Sequence, residues 1–237
     1  AATTPASDSL DLKLGIIRLA DYRVTYEDEK QQIKTALAIG KIEVEAEKLF
    51  LTKPLVALKK LGIENTDITF RSGDFGLELQ QFQTQLDSFL FAPERISGQL
   101  KSGSWVEKRR GAVRQLRADF VYTPREVSLQ NLLLQTNETL LQDRLVLRYA
   151  SLDDFSKNVG KVGVDLRLTK SQLSFKDILA WVPSLKKTPP FTKNPAAIVK
   201  LNGLVQGRID DLSLKGVDIS TLETTHLRAD GRIKGLP

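Results

Sequence analysis

From Leu201 to the end of the chain, apolar and polar residues tend to alternate, and a period of two commits this stretch to a sheet with one dry and one wet face. Leu212-Ser-Leu214 and Val217-Asp-Ile219 place apolar side chains at every second position, with Ser213, Asp218 and Ser220 between them. Gly203, Gly207, Gly216, Gly231 and Gly235 punctuate the run. The same rule governs the chain upstream. Leu10–Leu14, Ile17–Leu19 and Val24–Tyr26 alternate, and Ile42, Val44 and Ala46 oppose Glu43, Glu45 and Glu47. Leu77 and Leu79 open a looser apolar series through Phe82, Leu86 and Phe89. Four further strands are expected over Leu116–Tyr122 (with Phe120 and Tyr122), Val127–Thr136, Leu140–Tyr149 (with Leu145 and Leu147) and Val162–Thr169 (with Val164, Leu166 and Leu168).

Breaks in the pattern set the remaining expectations. Ala1–Ser9 is small and polar and reads as a linker, leaving residues 10–237 as one repeating unit. Glu27–Gln32 reads as a loop, and Gly98–Gly111 as a turn region carrying Lys108-Arg109-Arg110 beside Trp105. Thr52-Lys-Pro54 can start a helix that stops at Gly62, an irregular strand connection being the alternative. Phe175–Trp181 is the clearest helix: Ser174 can cap it and Pro183 ends it. Ile178, Leu179, Trp181 and Val182 make it apolar over most of its surface, so it should be buried or pressed on something greasy. Lys186–Pro195, with three prolines, is expected to be an extended connector.

The strands also repeat. Ile17-x-Leu19-x-Asp21 with Val24-x-Tyr26 matches Leu61-x-Ile63-x-Asn65 with Ile68-x-Phe70 at an offset of 44 residues. Val127-Ser-Leu129-Gln-Asn131-Leu132 matches Leu212-Ser-Leu214-Lys-Gly216-Val217 at an offset of 85, close to twice as far. Such periods point to stacked supersecondary units.

The chemistry needed by most enzymes is missing. There is no cysteine for a disulfide or thiolate metal site, and His226 is the one histidine, so no second imidazole can complete a triad or metal cluster. Asp74-Phe75-Gly76 spells a kinase motif without its phosphate loop, and Ser184-Leu-Lys-Lys187 fits S-x-x-K without its partner motifs. The acid pairs Asp153-Asp154 and Asp210-Asp211 lie at expected turns, where Asp is favoured for local backbone hydrogen bonds. Asn137-Glu-Thr139 is a glycosylation sequon. Lys108, Arg109 and Arg110, with Arg114 and Arg117, could contact phosphate, but no interleaved aromatic platform accompanies them, which argues against nucleic acid. The formal charge of +6 fits a solvated outer face. No run reaches the 18 apolar residues of a membrane span, and a chain without methionine reads as a segment of something longer. The sequence therefore predicts no enzyme, no metal and no cofactor.

What hides the dry face decides the function. A second sheet or barrel closure is ordinary, but the aliphatic face (aromatics are only 7%) and the open-ended repetition favour cargo filling a trough. An acyl chain of about 16 carbons would lose on the order of 12 kcal/mol by crossing water bare, so an aliphatic groove removes most of that barrier. The expected fold is accordingly all-β: an elongated, curled antiparallel sheet forming a hydrophobic groove (a β-taco), with one or two short helices. Its expected lining is Ile42, Val44, Leu77, Leu79, Phe120, Tyr122, Leu145, Leu147, Val164, Leu166, Leu168, Leu212, Leu214, Val217 and Ile219.

Several stretches carry a resemblance. Asn137-Glu-Thr, Leu145-x-Leu147-x-Tyr149-x-Ser151, Leu166-x-Leu168-Thr-Lys-Ser171-x-Leu173-x-x-Lys-Asp177-Ile178-x-x-Trp181-x-Pro183, Asn202-Gly203-x-x-x-Gly207 and Gly231-x-Ile233-x-Gly235-Leu236-Pro237 resemble the translocation and assembly module (TamB) family, within the AsmA-like group of Gram-negative envelope proteins. The resemblance implies a periplasmic β-groove whose parent is anchored in the inner membrane. It also implies phospholipid as bound cargo moving toward the outer membrane, and an outer-membrane Omp85-type barrel protein as partner in outer-membrane protein assembly. A closed β-sandwich interaction module of the envelope, with no lipid channel, is the alternative.

Overall fold

The computed structural model describes residues 15–50, 55–73, 75–221 and 225–235. Its strands are β1 (Ile16–Asp28), β2 (Ile33–Phe50), β3 (Leu55–Ser72), β4 (Phe75–Ala92), β5 (Arg95–Glu107), β6 (Gly111–Val113), β7 (Gln115–Thr123), β8 (Glu126–Gln135), β9 (Leu140–Arg148), β10 (Gly163–Ser174), β11 (Ile198–Arg208), β12 (Asp211–Thr221) and β13 (Thr225–Lys234). Two short helices, α1 (Asp154–Lys157) and α2 (Phe175–Trp181), fill the longer connections on either side of β10.

All thirteen strands join one antiparallel sheet in chain order, with the short β6 paired to β5 alone. The order is that of a meander: apart from β6, each strand turns back on the one before it in the sheet, through short connections except on either side of β10, where the helices intervene. Among the described residues β1 and β13 are the outermost strands and do not pair with each other, so the sheet is open and curled, and is not the closed sandwich of the alternative expectation.

Local chemistry explains where several expectations moved. The region expected as a turn from Gly98 to Gly111 is mostly β5; only residues 108–110 turn, because Ile96, Gly98 and Leu100 pair with Tyr122, Phe120 and Ala118. Leu55–Gly62 is the start of β3 rather than a helix: Leu58 lies against Phe89 and Ala46, and an eight-residue helix would give up both ladders. Residues 51–54 and 1–14, with the expected linker and first strand, lie outside the described residues. α2 has the expected bounds, but the Ser174 hydroxyl does not cap it; it donates to Glu138 Oε2 at 2.8 Å. The expected extended connector folds instead into a 3-10 turn, Pro183–Lys187, followed by hydrogen-bonded turns. The acid pairs do sit at turns: Asp154 accepts from the Ala150 and Ser151 N–H groups, which fixes the loop ahead of α1.

A line of irregularities crosses the sheet. Asp21, Asn65, Gln81, Asn131, Lys170 and Gly216 take φ of 58°, 48°, 53°, 52°, 45° and 56° within β1, β3, β4, β8, β10 and β12. β2 meets this line at Gly40, where an added Cβ would stand 2.6 Å from the Asn65 carbonyl oxygen. Between β5 and β7 the line is the break at Arg114, where β6 ends and β7 begins. Neighbouring side chains satisfy the displaced groups: Gln81 N donates to Asp67 Oδ1 at 3.0 Å, and Gly216 N to Asp230 Oδ1 at 2.7 Å. Each β-bulge inserts a residue and resets the phase of alternation.

Candidate functional site

Directly opposed residues of an antiparallel pair share a face, so the register traces one face across the whole sheet. Val44 opposes Leu61, Leu61 opposes Leu86, Leu86 opposes Leu100, and Leu100 opposes Ala118. One step along β7, Phe120 opposes Leu129, which leads to Leu145, Leu166, Val205 and Leu214 in turn. The stripe is apolar at each of these ten strands, and nine steps of about 4.8 Å carry it about 43 Å perpendicular to the strands.

The bulges keep the stripe on this face where the sequence changes parity. Leu214 opposes Gly231 and Val217 opposes Ala229, so three residues of β12 span two of β13 and Leu214 and Val217 point the same way. Leu212, Leu214, Val217 and Ile219 therefore lie together. In β3 and β4, Ile63 opposes Thr84, Thr66 opposes Phe82, and Ile68 opposes Leu79, which puts Leu77 and Leu79 on the face of Leu86 despite their opposite parity. By the same register Ile42, Leu147, Val164, Leu168 and Tyr122 belong to this face. Every lining residue expected from the sequence is thus brought to one side. The sequence reading missed Leu61, Ile63, Leu100, Leu129 and Val205, which complete the stripe. Their signal was alternation continuing across Asn65 and Asn131 after a shift of one residue.

No layer covers this face among the described residues. Of the expected lining, Val217 is fully buried and Tyr122 exposed, and all the others are half-buried. Half-burial of aliphatic side chains throughout a stripe is what lateral neighbours alone provide; a packed second layer would bury them as protein interiors are buried.

The opposite face is mostly polar and ion-paired between strands, with Val146 buried beside Ser128 and Asp165. Arg18 Nε meets Glu43 Oε2 at 2.8 Å, Arg144 Nη2 meets Asp165 Oδ1 at 2.7 Å, and Arg148 Nε meets Glu126 Oε2 at 2.9 Å. The Arg18 hydrogen bond holds the Glu43 carboxyl below the usual carboxylate range. His226 and Arg228, both hydrogen-bonded to Asp218, do the same there. His226 is thus a surface side chain engaged with Asp218 at 2.9 Å.

The basic cluster at the β5–β6 turn is largely committed to the protein. Glu107 is 1% exposed and accepts backbone N–H bonds from Glu78, Arg109 and Arg110. Lys108 Nζ pairs with Glu78 at 3.3 Å and Arg110 Nη1 with Glu107 at 3.4 Å. Arg110 also lies 5.6 Å from the Phe75 ring centroid and 5.1 Å from that of Trp181. Among the described residues the Arg109 side chain, alone of the three, has no ion pair. The sequon is structural here: Thr139 is buried and its hydroxyl donates to Asp177 Oδ2 at 2.6 Å, as does that of Thr136, which ties α2 to the β8–β9 turn.

No group of three or more metal-ligating side chains occurs among the described residues, and no helix among them is long and apolar enough to cross a membrane. No family model, curated protein or solved structure matches the chain.

Proposed function

We propose that the chain is a segment of a lipid-conducting β-groove of the bacterial envelope, of the TamB and AsmA-like kind, through which phospholipid acyl chains slide toward the outer membrane. The observation that supports this is the uncovered aliphatic stripe from Val44 to Leu214, backed by a polar, ion-paired face. A stripe that is apolar at every strand holds an alkyl chain with nearly constant free energy, about 0.8 kcal/mol per methylene kept from water. Movement along it then crosses no large barrier, and no catalytic group is needed. In this reading the segment lies in the periplasm, its parent is anchored in the inner membrane, and an Omp85-type barrel receives the far end in outer-membrane protein assembly.

Lipid extraction of the purified chain followed by mass spectrometry tests the reading. Co-purifying phospholipid, displaced by a photoreactive fatty acid that cross-links to Leu145 and Leu166, is the expected result. A lipid-free chain that binds no acyl ligand would overturn it.

A further inference from the structure

We infer that the rim formed by α2 and the turns after it docks onto an anionic lipid bilayer. The inference goes beyond the groove reading and does not depend on it. α2 leaves β10 at the sheet end where β4 begins and the β5–β6 and β8–β9 turns lie. One side of α2 is packed: Phe175 and Leu179 are buried, and the Phe175 ring meets that of Phe191 at a tilt of 47° with centroids 4.5 Å apart. Its other side is bare. Trp181 and Val182 are each 43% exposed, and Phe75, across the Arg110 guanidinium from Trp181, is 53% exposed.

Charge decides what this apolar edge meets. From Ile178 to Ile209 the sequence holds no Asp or Glu, while Lys186, Lys187 and Lys193 follow Trp181. All three lysines are exposed, and among the described residues neither they nor Arg109 take part in an ion pair. An exposed indole beside unpaired lysines suits the bilayer interface, where the ring sits at headgroup level and each cation meets lipid phosphate. A purely electrostatic partner, such as nucleic acid or an acidic protein, leaves the exposed Trp181, Val182 and Phe75 without a role. Arg110, held by Glu107 and stacked between two rings, fixes the direction in which Trp181 projects.

The test uses the Trp105→Phe protein, in which Trp181 is the only tryptophan. Because Trp105 Nε1 is buried without a partner, its loss removes no hydrogen bond. The protein is titrated with vesicles of phosphatidylcholine alone and with about 30% phosphatidylglycerol, a charge like that of an anionic leaflet. Vesicles carrying brominated acyl chains provide the quencher. The expected results are a blue shift and bromine quenching of Trp181 on anionic vesicles, weakened by salt. At about fivefold per charge, Lys186→Gln with Lys187→Gln should lower affinity about 25-fold. Circular dichroism checks that the double variant folds. Equal binding to neutral and anionic vesicles, undiminished binding of the double variant, or binding without Trp181 quenching would each overturn the inference. Because Trp181 lies off the stripe, lipid held in the groove alone gives co-purification without quenching that depends on the lysines, so the two readings fail separately.

Discussion

Leu166 is the sharpest place to perturb the stripe, because it opposes Leu145 on one side and Val205 on the other, and Arg167 beside it points the opposite way. Replacing Leu166 by Asp in a half-buried position loses about half of a leucine's transfer free energy, about 1 kcal/mol. The new carboxylate can still reach water, so no full burial penalty applies. The fold should therefore survive. The cargo fares worse: a charge one strand wide, about 4.8 Å, interrupts contact with about four methylenes, a barrier of about 3 kcal/mol. That slows passage about 100-fold. The assay is dequenching of a phospholipid with a fluorescent acyl chain as the chain moves it between donor and acceptor vesicles, with Arg167→Asp as the control. Leu166→Asp should abolish most transfer and Arg167→Asp little of it, while both melt near the wild-type temperature. Equal effects of the two substitutions would refute one-sided conduction.

Three further predictions concern the sheet itself. Gly203 has φ of 120°, and an added Cβ would also stand 2.6 Å from Val217 Cα, so Gly203→Ala should destabilise by more than about 2 kcal/mol in urea unfolding, beyond Gly216→Ala, which meets open space and carries only the strain of its own positive φ, about 1 kcal/mol. Glu107→Ala strips the buried acceptor from three backbone N–H groups and from Arg110, and should lower stability by about 3–5 kcal/mol in the same assay. Thermal stability should fall as pH drops below about 4, because the Glu43, Asp154, Asp211 and Asp218 carboxyls titrate lower in the folded than in the unfolded chain. Their contribution is complete above the unfolded pKa and is lost as pH falls through the folded one; a melting temperature unchanged between pH 6 and pH 3 would contradict this.

Most of the sheet is legible in the sequence because alternation acts locally. Val164 and Leu166 alternate with Gly163, Asp165 and Arg167, and so fall on one face of their strand. What alternation cannot supply is the phase relation between the two arms of a long strand. Leu79 and Leu86 have opposite parity, and only the register through Thr66 and Phe82 shows that they share a face. The turn expected at Gly98–Gly111 failed for a related reason: three glycines and a basic run suggest a loop, yet Gly98 faces the Phe120 ring across the ladder, with a Cβ placed there 3.1 Å from the ring. Ser174 holds the N-cap position of α2, but its hydroxyl turns to Glu138, 36 residues away in the sequence, a partner that local pattern does not reveal.

The internal repeat takes on a physical meaning from this. The residues that align in it, Asp21 with Asn65 and Asn131 with Gly216, all have positive φ and all sit where their strands cross the line of bulges. Asp, Asn and Gly are the types that enter this region at least cost, so the repeat records the places where alternation must change phase. Strands of 18 residues, such as β2, β3 and β4, would twist away from a common face if left regular. The irregularity near the middle of each, at Gly40 in β2, Asn65 in β3 and Gln81 in β4, lets the strand bend while its aliphatic residues stay on one side. The bulge line and the apolar stripe therefore solve a single problem, since a conduit running across the strands stays continuous only if every strand bends at the same height.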